Sequence, residues 1–127
     1  MSHFTKLENV AITDIKAFLK AAKELGFEKV DTKTMNGYQG NTMDAEVVVR
    51  HPKCKYDIGL VKKDKGYEMV SDWWGIQYDS GLNIGNPAQE LGQLTTKHTL
   101  TRKYAELGFT ASSKKNENGD LVLRLRR

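Results

Sequence analysis

The chain has 127 residues, 20 Lys and Arg against 16 Asp and Glu, and a formal net charge of +4. That length predicts one domain over 1–127, able to fold without staples, and the lone Cys54 excludes an internal disulfide framework. The charge is too mild for a committed nucleic-acid binder. No apolar run approaches the roughly 20 residues of a membrane helix, and MSHF does not begin a signal peptide. A soluble protein of the cytosol, or of an equivalent phase such as a plastid stroma, is expected.

Residues 3–10 read as a first strand, with Phe4, Leu7, Val10 and Ile12 as apolar anchors in imperfect alternation. Thr13 as cap and Asp14 in the first turn predict a helix to about Leu25. Ile15, Phe18, Leu19, Ala22 and Leu25 form its core-facing stripe, and Gly26 with Phe27 makes its stop. Residues 28–34 read as a short strand and the Gly- and Asn-rich 35–43 as a loop. A strand follows at 44–50, where Val47, Val48 and Val49 in succession predict burial on both faces, and Pro52 marks a connection.

The stretch Tyr56–Trp74 reads as one β-hairpin. Tyr56, Ile58 and Leu60 alternate with Asp57, Gly59 and Val61; Tyr67, Met69, Ser71 and Trp73 alternate with Glu68, Val70, Asp72 and Trp74. Lys63-Asp64-Lys65-Gly66 is the expected turn. With strand 44–50 the hairpin makes a three-stranded meander. Two readings stand for the glycine-rich 75–87: a functional loop, or a cover for a sheet edge.

Asn86-Pro87-Ala88-Gln89 is a helix start with cap, N1 proline and capping-box Gln. From there to 107 the apolar residues occupy two faces. Leu91, Leu94 and His98 share one, Leu100, Tyr104 and Leu107 nearly the opposite one, which predicts a break near Thr95–Thr99. Glu-Leu-Gly-Phe ends both this helix and the first one, by duplication or by convergence on a good helix stop. Lys114–Gly119 is a turn leading into a last strand in which Leu121, Leu123 and Leu125 alternate with Val122, Arg124 and Arg126. The fold class is therefore α+β: a two-layer sandwich of order β-α-β-β-β-β-α-β-β, an antiparallel sheet with two main helices on one face.

No constellation demands catalysis. His51 and Cys54, with His98 or His3, make half a metal site at best, since a structural zinc needs paired spacing twice. Cys54 between Lys53 and Lys55 has no designated base and reads as a half-buried thiol. Asp57 and Asp72 share a strand face, where a carboxylate pair can do acid–base work, but exposed faces carry such residues routinely. Gly81–Pro87 runs into a helix N-terminus without the dinucleotide fingerprint. Trp73 and Trp74 are expected on opposite sheet faces, one in the core and the other, with Tyr78, a possible aromatic anchor.

The opening Met1-Ser2-His3-Phe4-Thr5, the Leu-Gly-Phe stop, Tyr56–Val61, the Tyr67–Trp74 arm and the final strand of leucines and arginines resemble the conserved hypothetical chloroplast reading frame family numbered thirty-five. Its members occur in red-algal plastids, cyanobacteria and other bacteria. The resemblance implies a small stand-alone soluble protein and brings no catalytic residues.

Three functions stand. The first is a non-enzymatic protein-interaction module docking an unknown protein partner through Trp73, Trp74 and Tyr78. The second is a nucleic-acid binder using Lys53, Lys55, Lys62, Lys63, Arg124 and Arg126 with an exposed Trp. The third is a small-ligand carrier or enzyme with a sheet–helix pocket lined by His98 and the hairpin carboxylates. No cofactor, metal or membrane is expected, and the state is monomer or small homo-oligomer.

Overall fold

A computed structural model describes residues 5–127, with side chains from Ile12 onward. The main antiparallel sheet has five strands in the order β1-β7-β6-β5-β2. These are β1 (Thr5–Ile12), β2 (Glu28–Val30), β5 (Val47–Arg50), β6 (Ile58–Lys63) and β7 (Gly66–Ser71). The anchors expected at Phe4, Leu7 and Val10 lie outside the described side chains. Strand β1 runs against β7, with an irregularity in register between Lys6 and Ala11.

The meander β5-β6-β7 forms as its period-two pattern requires. Val47, Val49, Tyr56, Ile58, Leu60 and Met69 join the core on the helix side, and Val48 and Val70 join a smaller core behind the sheet. All three valines of β5 are buried. The turn is tighter than expected: Lys63 pairs with Gly66, leaving only Asp64 and Lys65 between the strands. Gly66 has φ +137°, and a Cβ there would lie 2.7 Å from the Ile12 carbonyl oxygen.

The rear core is closed by a hairpin that the sequence did not announce. The expected strand 28–34 stops at Val30, and β3 (Thr34–Asn36) pairs with β4 (Thr42–Asp44) across the expected loop. Period-two signals in three-residue strands are too short to separate from a turn. Met35 and Ala45 are buried against Val48 and Val70. Gly59 permits this contact, because a Cβ there would lie 2.6 Å from Met35 Sδ and 2.8 Å from Ala45 Cβ.

The helices lie on the other face. Helix α1 (Ile15–Glu24) is capped by Asp14, not Thr13, with Asp14 Oδ1 accepting from Ala17 N at 3.1 Å. Helix α2 (Trp73–Tyr78) replaces the end of the expected hairpin arm. Asp72 turns the chain out of β7, its Oδ1 accepting from Gly75 N at 2.9 Å. Alternation of large side chains through Trp73 and Trp74 masked that cap.

Helix α3 (Pro87–Glu106) is continuous, without the break expected near Thr95–Thr99. Asn86 caps it as expected, accepting from Gln89 N at 3.1 Å. Its two apolar faces are both occupied. Leu91 and Thr95 are buried on the core side, His98 meets Glu24, and Arg102 pairs with Asp14 at 2.8 Å. The other face carries the terminal hairpin, β8 (Thr110–Lys115) and β9 (Leu121–Arg126), which forms its own two-stranded sheet instead of joining the main one. The α+β two-layer arrangement of sheet and helices is thus present, with this hairpin added outside α3. Both Glu-Leu-Gly-Phe stops fold alike, with Phe27 N bonding Ala22 O at 2.9 Å and Phe109 N bonding Tyr104 O at 3.0 Å. Gly26 and Gly108 have φ +90° and +88°.

One buried charge ties the strand ends together. Asp57, 1% exposed, takes a two-pronged contact from Arg50: Nε to Oδ1 at 2.9 Å and a terminal nitrogen to Oδ2 at 2.8 Å. Asn36 N donates to Oδ2 at 2.8 Å, Asp57 N to Asn36 O at 2.9 Å, and Ser71 Oγ to Asp57 O at 2.7 Å. The expectation that Asp57 and Asp72 decorate a water-exposed face is wrong, since both are 1% exposed and bonded into the frame. Arg50→Ala should cost about 3 kcal/mol in urea unfolding, the low end for stripping a partner from a buried ion because Arg50 reaches solvent. A loss below about 1 kcal/mol would show that Asn36 N alone holds the carboxylate.

Candidate functional site at the aromatic face of helix α2

Helical spacing sorts the aromatic residues of α2. Trp73 and Ile76 turn inward, at 8% and 0% exposure. Trp74 and Tyr78, one turn apart, turn outward at 48% and 67% exposure. Their ring centroids are 5.5 Å apart with the planes tilted by 49°. Other large apolar side chains exposed among the described residues are Leu107 and Val122, both near the C-terminal hairpin. Trp73, Trp74 and Tyr78, expected at the end of a strand, thus lie on a helix that buries Trp73 and turns Trp74 and Tyr78 outward.

The seat of α2 is a tyrosine. Gly75 lies directly on the buried Tyr56 ring, and a Cβ at 75 would sit 2.8 Å from its Cζ. The Tyr56 hydroxyl donates to the carboxylate of Asp79, just beyond α2. Lys55 stands 3.7 Å from that carboxylate and 5.6 Å from the centre of the Tyr56 ring. Burial first, then the Asp79 hydrogen bond, raises the Tyr56 pKa well above its ordinary 10.0.

The loop after α2 is compact. Ser80 Oγ donates to Ile76 O and accepts from Leu82 N at 3.2 Å, while Leu82 and Ile84 pack partly into the main core. Positive φ at Gly81, Asn83 and Gly85 shapes its reversals.

The remaining sequence candidates separate. Arg124 and Arg126 lie exposed on the outer face of the terminal hairpin, opposite Ser112 and Thr110. Lys53 and Lys55 precede β6, and Lys62 and Lys63 end it, so the six basic residues do not share one element or end of the sheet. His51 Nδ1 accepts from Lys53 N at 3.0 Å, and its ring packs on Phe27 with centroids 5.3 Å apart. Cys54 Sγ donates to Tyr56 O at 3.3 Å, and burial is the chief reason its pKa is raised. His98 bonds Glu24 of α1. Among the described residues, no group of three His, Cys, Asp or Glu is placed to hold a metal, and no helix is long and apolar enough to cross a membrane.

The chain belongs to a family described as protein of unknown function DUF1257, whose model matches residues 21–125. No curated protein and no solved structure matches it significantly.

The Tyr56 environment predicts an alkaline signature. Its folded pKa is raised, so its contribution to stability is complete below the ordinary phenol value of 10.0 and is lost as pH climbs toward the folded value. Stability of the wild type relative to Tyr56→Phe should therefore fall between pH 10 and pH 12 in urea unfolding. A constant difference across that range would place the phenol outside the buried environment. Cys54 should likewise resist a disulfide reagent at pH 8 until urea is added.

Proposed function

We propose that the protein is a non-enzymatic protein-interaction module whose contact residues are Trp74 and Tyr78. The observation that carries this is two large aromatic side chains, in tilted contact with each other and left open to solvent on a helix whose other side is locked into the core. Exposed aromatic pairs supply much contact area at low entropic cost, and Trp and Tyr dominate binding energy at protein interfaces. Trp73 belongs to the support of this surface, since it is buried. The partner this surface fits presents apolar side chains for the rings, with a polar rim facing Lys55 and Asp79.

The likeness to the plastid reading frame family fits a small free-standing adaptor of phototrophs and other bacteria. Its setting in this reading is a reducing aqueous phase, cytosol or stroma, where the buried Cys54 remains a thiol.

The test is affinity capture from native lysate with wild type, Trp74→Ala/Tyr78→Ala and Arg124→Ala/Arg126→Ala. A discrete protein should bind wild type and the arginine variant and be lost with the aromatic one. The aromatic variant should unfold within about 1 kcal/mol of wild type, because both side chains are largely solvated. Capture of nucleic acid that washes off with salt and requires Arg124 and Arg126 would replace this reading with the nucleic-acid one.

A further inference from the structure

A second surface is built quite differently. Between α3 and β9 lies an open cavity of about 530 Å³. Ala88, Gly92 and Thr96, four residues apart, form its floor, where small side chains leave α3 concave. Leu121 and Leu123 form the facing wall. Both are only half-buried, so the hairpin stands off from the helix instead of closing on it.

The rim is neutral and amide-rich. Asn86, Gln89 and Gln93 line the helix side. Asn86 spends its oxygen on the helix cap and keeps its NH2 group as a donor. Gln93 donates to Gly119 O at 3.2 Å, which moors the hairpin turn, while its own oxygen is buried with no partner among the described residues. Lys97 and Asp120 place one charge of each sign at the edge, giving no net preference for an ion.

We infer that this cavity binds a small, uncharged, planar heteroaromatic compound, held flat between the leucines and α3 and read along its edge by side-chain amides. The volume lies in the range of small-molecule sites and exceeds what one inserted side chain would fill. An apolar wall facing a small-residue floor suits a flat ring. The Gln89 carboxamide presents a donor and an acceptor side by side, the pattern that matches a ring nitrogen next to an amino or carbonyl group, and the Asn86 NH2 adds a donor beside it. A purely aliphatic ligand would bury the amides of Asn86 and Gln89 without partners, which is unfavourable.

The test is an amide NMR titration of the full chain with three probes, adenine, 2-aminopyrimidine and 4-quinazolinone, and with naphthalene as the ring lacking a polar edge. At least one of the three should shift Gln89, Gly92, Gln93, Thr96, Leu121 and Leu123 at millimolar concentration. Thr96→Trp, a solvent-side change that fills the floor, should abolish the shifts, and Gln89→Leu should weaken binding roughly tenfold, the loss expected for one neutral hydrogen bond. Trp74→Ala/Tyr78→Ala should leave them intact, so this site stands or falls apart from the aromatic one. Silence from all three probes, or shifts indifferent to Thr96→Trp, would overturn the inference. Naphthalene binding as well as the polar probes and ignoring Gln89→Leu would also overturn it, reducing the cavity to an unselective apolar surface.

Discussion

The Arg50–Asp57 contact is where the fold is tied. Burying a carboxylate to 1% exposure is costly, and at Asp57 a guanidinium fork and the Asn36 backbone offset that cost by filling its oxygens. Arg50 ends β5, Asp57 precedes β6, Asn36 ends β3, and Ser71 ends β7. Four strand ends from two sheets thus converge on one residue. This junction and Met35 bind the small β3–β4 hairpin to the rear of the main sheet. Two-stranded hairpins are marginal alone, so its order follows from that junction.

From Ser71 the constraint passes to α2. The same end of β7 that bonds Asp57 leads into Asp72, which caps α2, and α2 rests on Tyr56, one residue before Asp57. The aromatic pair at Trp74 and Tyr78 is therefore presented by a helix fixed at its start by a cap, along its length by a ring, and at its end by the Tyr56–Asp79 hydrogen bond. A six-residue helix has little stability of its own, so its geometry is set by these contacts.

The meander, α1 and the start of α3 were legible because several residues agree in each signal. Six-residue alternation in β6 and β7, the stripe of α1 and the Asn-Pro start of α3 each involve several residues agreeing. What was not legible depended on partners remote in sequence. The two apolar faces of α3 looked like a broken helix because nothing local says that α1 covers one and β8–β9 the other. Asp57 looked like a surface carboxylate because its burial depends on Arg50 and on Asn36, 21 residues away. For the candidate site, the residue types at Trp74 and Tyr78 were visible, whereas their direction was not: the Asp72 cap shifts the period from two to 3.6 within one residue.

The position of α3 between two layers bears on which parts of the chain can respond to a ligand. Its inner face is buried with α1 and held by the Arg102–Asp14 pair and the His98–Glu24 contact, so it moves only with the core. Its outer face meets a hairpin whose leucines are half-exposed and whose turn is moored through Gln93. Closing that hairpin onto a bound ring would bury Leu121 and Leu123 without disturbing any contact of the main sheet. At roughly 25 cal/mol per Å² of apolar surface, burying a further ~100 Å² would return about 2.5 kcal/mol, a part of the association cost of a small ligand. The aromatic pair on α2 has no such latitude. Its helix is pinned at Tyr56 and Asp79, so in the proposed interaction the rings would be met as they stand. The two surfaces thus differ in support: the aromatic pair sits on a helix held by Tyr56 and Asp72, and the cleft is bordered by half-exposed leucines of a separate two-stranded sheet.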